Sequence, residues 1–231
     1  MTGWAEFIAA FAVFMLSHML PSRPALRGPL VAVLGRAGFI TAYSLLSIVL
    51  LGWLIVAAGR APTVTLWYFA PWQTWVPTFA MLSACLLGAY GLGAANPLSF
   101  GGRGTGFDPD RPGIAGVTRH PLLLALALWA GGHMVPNGDL AHVLMFGVLG
   151  GFALLGMWAI DRRQRRTLGD AAWREQTRAT SLLPFSALIS GRWKPRGRPS
   201  IWRLLAGLLA YAVLTGLHPA VIGAWPHPIM P

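Results

Sequence analysis

Only 11% of the 231 residues are charged, while 55% are apolar and 11 are Trp; that balance cannot coat a water-soluble globule of this size and fits a protein faced by lipid. The formal net charge of +11 invites a nucleic-acid reading, but the basic residues lie between apolar runs and on alternate connections, the pattern of topology control, so no nucleic-acid partner is expected. One Cys, Cys85, inside an apolar run, excludes an intramolecular disulfide and a Cys-based zinc site and reads as a helix-packing residue.

The first apolar run extends from Trp4 to Leu20, interrupted by Glu6, Ser17 and His18 and closed by Pro21 to Pro24. It lacks the positive leader and small-residue cleavage site of a signal peptide and is expected to be a retained span. At ~1.5 Å per residue it reaches ~25 Å, close to a hydrocarbon core of ~30 Å. A basic connection (Arg23, Arg27, Arg36) leads into the second run, Phe39 to Ala58. Residues 59–74 form a loop whose Trp67, Tyr68 and Trp72 suggest an interfacial aromatic belt. The third run, Trp75 to Ala95, carries Gly88, Gly91 and Gly93, small residues that let helices approach closely in lipid. Residues 96–116 are rich in Gly, Asp and Pro and read as turns; the Gly-rich part from Ser99 to Phe107 follows no strand and lacks a Walker lysine, a weak phosphate signal.

The fourth run, 116–133, opens on Arg119, His120 and Pro121 and ends at His133. The fifth, Leu140 to Ile160, contains Gly147, Gly150, Gly151 and Gly156 and stops at Asp161, Arg162 and Arg163; Asp139 caps it. Residues 161–200 are the long polar segment, within which Gly169 to Gln176 reads as a short capped helix with Trp173 as an interfacial anchor. The sixth run goes from Ile201 to about Ala224, with His218 and Pro219 near its end. Connections 1, 3 and 5 hold 17 of the 18 Lys and Arg, all but Arg60. The expected fold is therefore an all-α polytopic membrane helix bundle, one integral membrane domain over 1–231 with about six transmembrane helices and both termini periplasmic.

An ionisable group within a membrane is a functional hypothesis by default. This topology places His18 and His120 near the cytoplasmic face and His133 and His218 toward the outer face. Either depth-matched pair could ligate haem iron or another metal through neutral imidazole; otherwise each makes one interhelical hydrogen bond. His142 and His227 are expected to be interfacial. Asp161, at the end of the fifth run, has Arg119 as its simplest partner.

Ser17 and His18 followed by Leu-Pro-Ser-Arg, Gly35 to Phe39 with Tyr43 to Ser47, Thr118 to Pro121, Trp129 with His133, Asn137 to Asp139, and Leu217 to Pro219 with Gly223 resemble the NnrU family over nearly the whole chain. That family is similar to the plant and cyanobacterial 15-cis-ζ-carotene isomerase, a membrane enzyme that uses haem b, with further matching residues at Asp161 to Arg163, Thr180 to Phe185, and Gly191 and Arg192. The resemblance implies a multi-pass protein of the bacterial inner membrane that binds haem b with His18 and His133 as metal ligands. His120, His218, Arg119 and Asp161 remain candidate cofactor-binding residues, because the depth of His18 and the ~20 Å between His120 and His133 along one helix favour other pairs. An extra Cys of the isomerase is Ala130 here, and a His-His pair is Phe152 and Ala153. Two roles follow: redox-type isomerisation of an apolar polyene, or nitrite and nitric oxide metabolism.

A second resemblance, through Arg119 to Pro121, Gly169 with Trp173, and Leu182 to Pro184, is to methyltransferases of the isoprenylcysteine carboxyl methyltransferase type, which use S-adenosylmethionine; those enzymes carry paired Glu where this chain has Asp161 to Arg163. A non-catalytic membrane assembly factor is the remaining alternative.

Overall fold

The apolar runs fold as helices, because a backbone in lipid must satisfy its N–H and C=O groups internally. The computed structural model describes residues 3–19 and 24–226; Arg23 and His227 lie outside the described residues. In chain order the helices are α1 (Gly3–Met19), α2 (Pro24–Arg60), α3 (Trp75–Gly91), α4 (Ile114–Val117), α5 (Pro121–Met134), α6 (Leu140–Leu168), α7 (Asp170–Thr177), α8 (Ser186–Ile189) and α9 (Ile201–Ile222), with a 3-10 turn at Pro71–Thr74 before α3. Among the described residues β pairing is confined to two isolated bridges, Thr65 with Asp139 and Ala95 with Arg103.

By length and composition α2, α6 and α9 are long and apolar enough to cross a membrane; α1 and α5 are shorter apolar helices. Their outer faces carry exposed Ile48, Val49, Leu155, Leu209 and Val221. In water each such side chain would forfeit about 1.5–3 kcal/mol of burial, and against lipid it forfeits nothing, which marks a membrane protein.

Two boundaries differ from the sequence reading. The connection expected around Arg27 and Arg36 is helical, so α2 starts at Pro24, where a proline suits the first turn, and breaks at Gly35 (φ 69, ψ 167), a conformation that glycine alone adopts freely. The fourth run is not one helix from Gly116: α5 starts at Pro121, after His120 in a non-helical conformation (φ −119, ψ 65).

The chain divides into two compact units, Met1–Tyr68 with Gly138–Met145, and Phe69–Asn137 with Phe146–Pro231. In the first, α1 turns Phe7, Ala10 and Phe14 inward, and α2 buries Leu54, Ala57 and Ala58. Gly3 lies against the Arg60 carbonyl where a Cβ would collide, and Glu6 pairs with Arg60 at 3.4 Å, so α1 and α2 run antiparallel. The loop after α2 accepts the entry to α6: Leu66 and Trp67 donate to the Gly138 carbonyl and Leu140 donates to that of Val64. Asp139 caps α6 as expected, its carboxylate accepting from the His142 amide at 3.2 Å and lying 2.7 Å from His142 Nδ1.

In the second unit α3 packs against α5 and α9 through small residues. A Cβ on Gly132 of α5 would lie 2.7 Å from Ala80 and 3.3 Å from the Pro77 backbone, one on Gly91 would lie 2.6 Å from Pro121, and one on Gly207 of α9 would lie 2.9 Å from Leu86. Of the three glycines singled out in the third run, Gly91 has this packing role; Gly88 faces open space and Gly93 sits in a turn (φ 63). The Gly-rich loop folds on itself, with Gly93 donating to Gly101, Asn96 to Arg103 and Arg103 to Ala94, a compact turn rather than an open cradle of amides.

Candidate functional site

Three of the four singled-out imidazoles share one arrangement. His18, in the last turn of α1, holds Nδ1 2.8 Å from the Phe14 carbonyl and 3.1 Å from Ser17 Oγ. His133, in the last turn of α5, holds Nδ1 2.8 Å from the Trp129 carbonyl. His218 of α9 holds Nδ1 2.7 Å from the Ala224 carbonyl. A carbonyl only accepts, so Nδ1 carries the proton and donates, and in the neutral ring Nε2 keeps its lone pair. This is the orientation that prepares an imidazole as a metal ligand, the second nitrogen being fixed by its hydrogen bond.

Within the first unit His18 stacks on Phe14, with ring centroids 4.1 Å apart, and meets Tyr43 of α2 edge-on at 5.6 Å. Within the second unit His133 and His218 come together, ring centroids 6.4 Å apart and planes 28° from parallel, and His133 is flanked by Trp129 at 5.9 Å and Phe146 at 5.5 Å. Two imidazoles on opposite sides of one metal place their centroids roughly 6 Å apart, taking metal–nitrogen bonds of ~2.0–2.1 Å. The 6.4 Å between the His133 and His218 centroids matches that spacing. Among the described residues no group of three or more His, Cys, Asp or Glu is placed to hold a metal ion. A two-imidazole set suits a prosthetic group such as haem, whose macrocycle supplies the remaining ligands.

His120 is built differently, with both ring nitrogens engaged. Nε2 lies 2.9 Å from Asp161 Oδ1, Nδ1 lies 3.0 Å from Ser99 Oγ, and the ring is completely buried. The other Asp161 oxygen accepts from Arg119 Nη1; Arg119 Nε donates to Thr180 Oγ1 at 2.9 Å, and its guanidinium lies 4.9 Å from the Trp173 ring. Its backbone is held too, since Asn96 Nδ2 donates to the Arg119 carbonyl at 2.9 Å. Asp161 thus neutralises one cation and orients one imidazole, and the network ties α5, α6 and α7 to the 96–99 loop. Burial pulls the Arg119 guanidinium below its ordinary value, while the Asp161 carboxylate pulls the other way.

The structure brings Arg119, His120 and Asp161 together, and His133 with His218; the contacts given for His18 are within its own unit. Trp173, expected as an interfacial anchor, has the Arg119 guanidinium over its ring. Ser99 and Thr180 lay in stretches the sequence singled out, but their bonds to His120 and Arg119, and that of Asn96 to the Arg119 carbonyl, were not legible, because these loop residues lie 21 to 61 positions from their partners and carry no periodicity. Tyr43 and Trp129 had a signal, Tyr43 in the family motif with Gly35 to Phe39 and Trp129 in the one with His133.

No solved structure matches the chain. The 15-cis-zeta-carotene isomerase, chloroplastic, of Zea mays is 32% identical over 119 residues, which are 51% of this chain and 31% of the maize protein. The chain thus matches less than a third of that relative's length, and the similarity is to part of it only. The description "NnrU protein" matches residues 6–226, from the first turn of α1 to beyond the end of α9. The chain belongs to the NnrU family.

Proposed function

We propose that this chain is an isomerase-like membrane protein that binds haem b through intramembrane histidines and acts on a long apolar polyene. The observation that carries the reading is the shared tautomer of His18, His133 and His218, each with Nδ1 committed to a carbonyl and Nε2 left to ligate. His133 is the ligand common to both pairs under consideration: the family resemblance joins it to His18, and the fold of the second unit joins it to His218. The similarity to an enzyme named as a zeta-carotene isomerase supports the reaction class.

When bound, haem b would supply one-electron redox chemistry at iron. The protein's own part is to hold and shield. The Nδ1 hydrogen bonds fix the planes of the ligating rings, and Trp129 and Phe146 keep water from His133. A groove of about 490 Å³ on the same stretch of α9 as His218, lined among others by Tyr211, Thr215, Gly216, Pro219 and Trp225, gives an apolar wall against which an extended hydrocarbon can lie. The six apolar helices α1, α2, α3, α5, α6 and α9 serve as spans of a bacterial inner membrane, with both termini periplasmic.

Absorption spectroscopy of detergent-purified protein, expressed with ample haem, tests the cofactor. A Soret band lost in His133→Ala, lost in either His18→Ala or His218→Ala, and kept in His120→Ala is the expected result. A colourless wild-type preparation overturns the haem reading, and binding of S-adenosylmethionine by such a preparation in calorimetry returns the methyltransferase. Incubation of the haem-loaded protein with 15-cis-zeta-carotene under reducing conditions, followed by chromatography, tests the reaction; an unchanged isomer ratio directs attention to nitrogen-oxide metabolism.

A further inference from the structure

The segment after α7 exposes apolar side chains that its backbone does not leave free to retract. Leu183 is 70% exposed and Ile189 83%, with Phe185 and Leu188 exposed beside them. In a loose loop such side chains would fold inward. Here the chain is pinned: Phe185 donates to the Val117 carbonyl at 2.8 Å, Ala187 donates to Ser181 Oγ at 2.6 Å, and Trp193 donates to the Ala187 carbonyl at 2.9 Å. The Trp193 ring lies on Gly116, where a Cβ would collide with it, and Arg192 donates to the Thr180 carbonyl at 3.1 Å. Phe185 takes a left-handed conformation (φ 62, ψ 0), the one positive φ at a non-glycine residue among the described residues. Such a conformation is disfavoured for a bulky side chain and persists only where the surroundings impose it.

The charges around this segment are unbalanced. The carboxylates of residues 161–200 are spent internally: Asp161 on Arg119, Asp170 on Arg165 and Glu175 on Arg178. Arg163, Arg166, Arg174, Lys194, Arg196 and Arg198 are exposed and have no ion-pair partner among the described residues. Chain connectivity fixes where this surface lies. It joins α6 to α9, both long and apolar enough to cross a bilayer, so it sits at a membrane face.

We propose that residues 183–198 form an interfacial wedge that binds anionic phospholipid: Leu183, Phe185 and Ile189 enter the headgroup–acyl boundary while Lys194, Arg196 and Arg198 contact the headgroup phosphates. Exposed apolar side chains interleaved with surplus cations, held rigid at a membrane surface, match the two attractions of an interfacial segment, apolar burial and attraction to a negative leaflet. A protein partner with an acidic surface would answer the charge but would not require the apolar residues to lie at the bilayer plane. The proposal is independent of the haem reading.

The test uses the full chain in nanodiscs of phosphatidylcholine, with or without phosphatidylglycerol. An environment-sensitive fluorophore is placed at Ile189→Cys in a Cys85→Ser background, with Ala171→Cys on exposed α7 as the comparison site. Blue-shifted emission at 189 but not at 171, deepening with phosphatidylglycerol, is expected. In native mass spectrometry the triple variant Lys194→Gln, Arg196→Gln, Arg198→Gln should retain phosphatidylglycerol on the order of a hundredfold less, with its melting temperature in neutral detergent unchanged. Water-like emission at 189 in both bilayers, or equal retention of the two lipids by the wild type, overturns the proposal. So does shielding of residue 189 that appears only when the protein dimerises, which would make the surface a contact between copies.

Discussion

Arg119 and Asp161 carry opposite charges at side-chain exposures of 10% and 12%, and each is useful only while the other is present. Removing one leaves a charge out of water without a partner, which costs about 3–5 kcal/mol, whereas replacing both with apolar residues of similar size is often neutral. Asp161→Ala is therefore expected to lower stability in detergent by about that amount, and the double variant Arg119→Met, Asp161→Leu to recover part of it, the remainder being the His120 Nε2 partner that both variants remove, as read by thermal unfolding. A single variant that melts like the wild type would show that the network is solvated. The sequence already made Arg119 the simplest partner of Asp161. It could not show that Thr180 and Trp173 complete the site, because nothing in the spacing of residues 119, 173 and 180 reports their contact. The resemblance put His18 and His133 first as ligands and kept His120 and His218 as candidates, and only the hydrogen-bond partners set His120 apart from the other three. Three donate Nδ1–H to carbonyls, while His120 spends both nitrogens on Asp161 and Ser99.

Among the elements, α5 is the one whose length matters most for the site. At 14 residues it reaches ~21 Å, less than the hydrocarbon thickness, so His120 and His133 sit at its two ends and must find partners in different surroundings. Its position is set by close approach to α3, and neighbouring glycines on it have opposite surroundings. A Cβ at Gly132 would strike Ala80 and the Pro77 backbone, while one at Gly131 meets nothing within 4 Å. Gly132→Ala is expected to destabilise by about 1–3 kcal/mol through overpacking. Gly131→Ala should be neutral or stabilising by up to about 1 kcal/mol, from helix propensity. Equal melting temperatures for the two variants would contradict this packing. The glycine-rich character of the third to fifth runs was legible as a sign of close helix approach. Which glycine touches which neighbour was not, since that depends on helix rotation.

For the whole molecule, the topology is the property to test. Reporter fusions should give active alkaline phosphatase and dark green fluorescent protein at both termini, and the reverse after residue 168; fluorescence at either terminus would overturn the proposed six-span arrangement. The bilayer is a one-dimensional constraint acting along its normal, so a run of apolar residues and the side on which Arg and Lys collect can be read directly from the order of the chain. That order by itself determined the helical class, the apolar runs that became α1, α2, α3, α5, α6 and α9, the cap at Asp139 and the basic surplus of residues 161–200. Only the tertiary structure decided that α2 begins at Pro24 and bends at Gly35, that His133 lies beside His218, that His120 is locked against Asp161, and that Ile189 is held outward. Those outcomes depend on the rotation and approach of segments far apart in the chain, which hydropathy, blind to direction around a helix, does not encode.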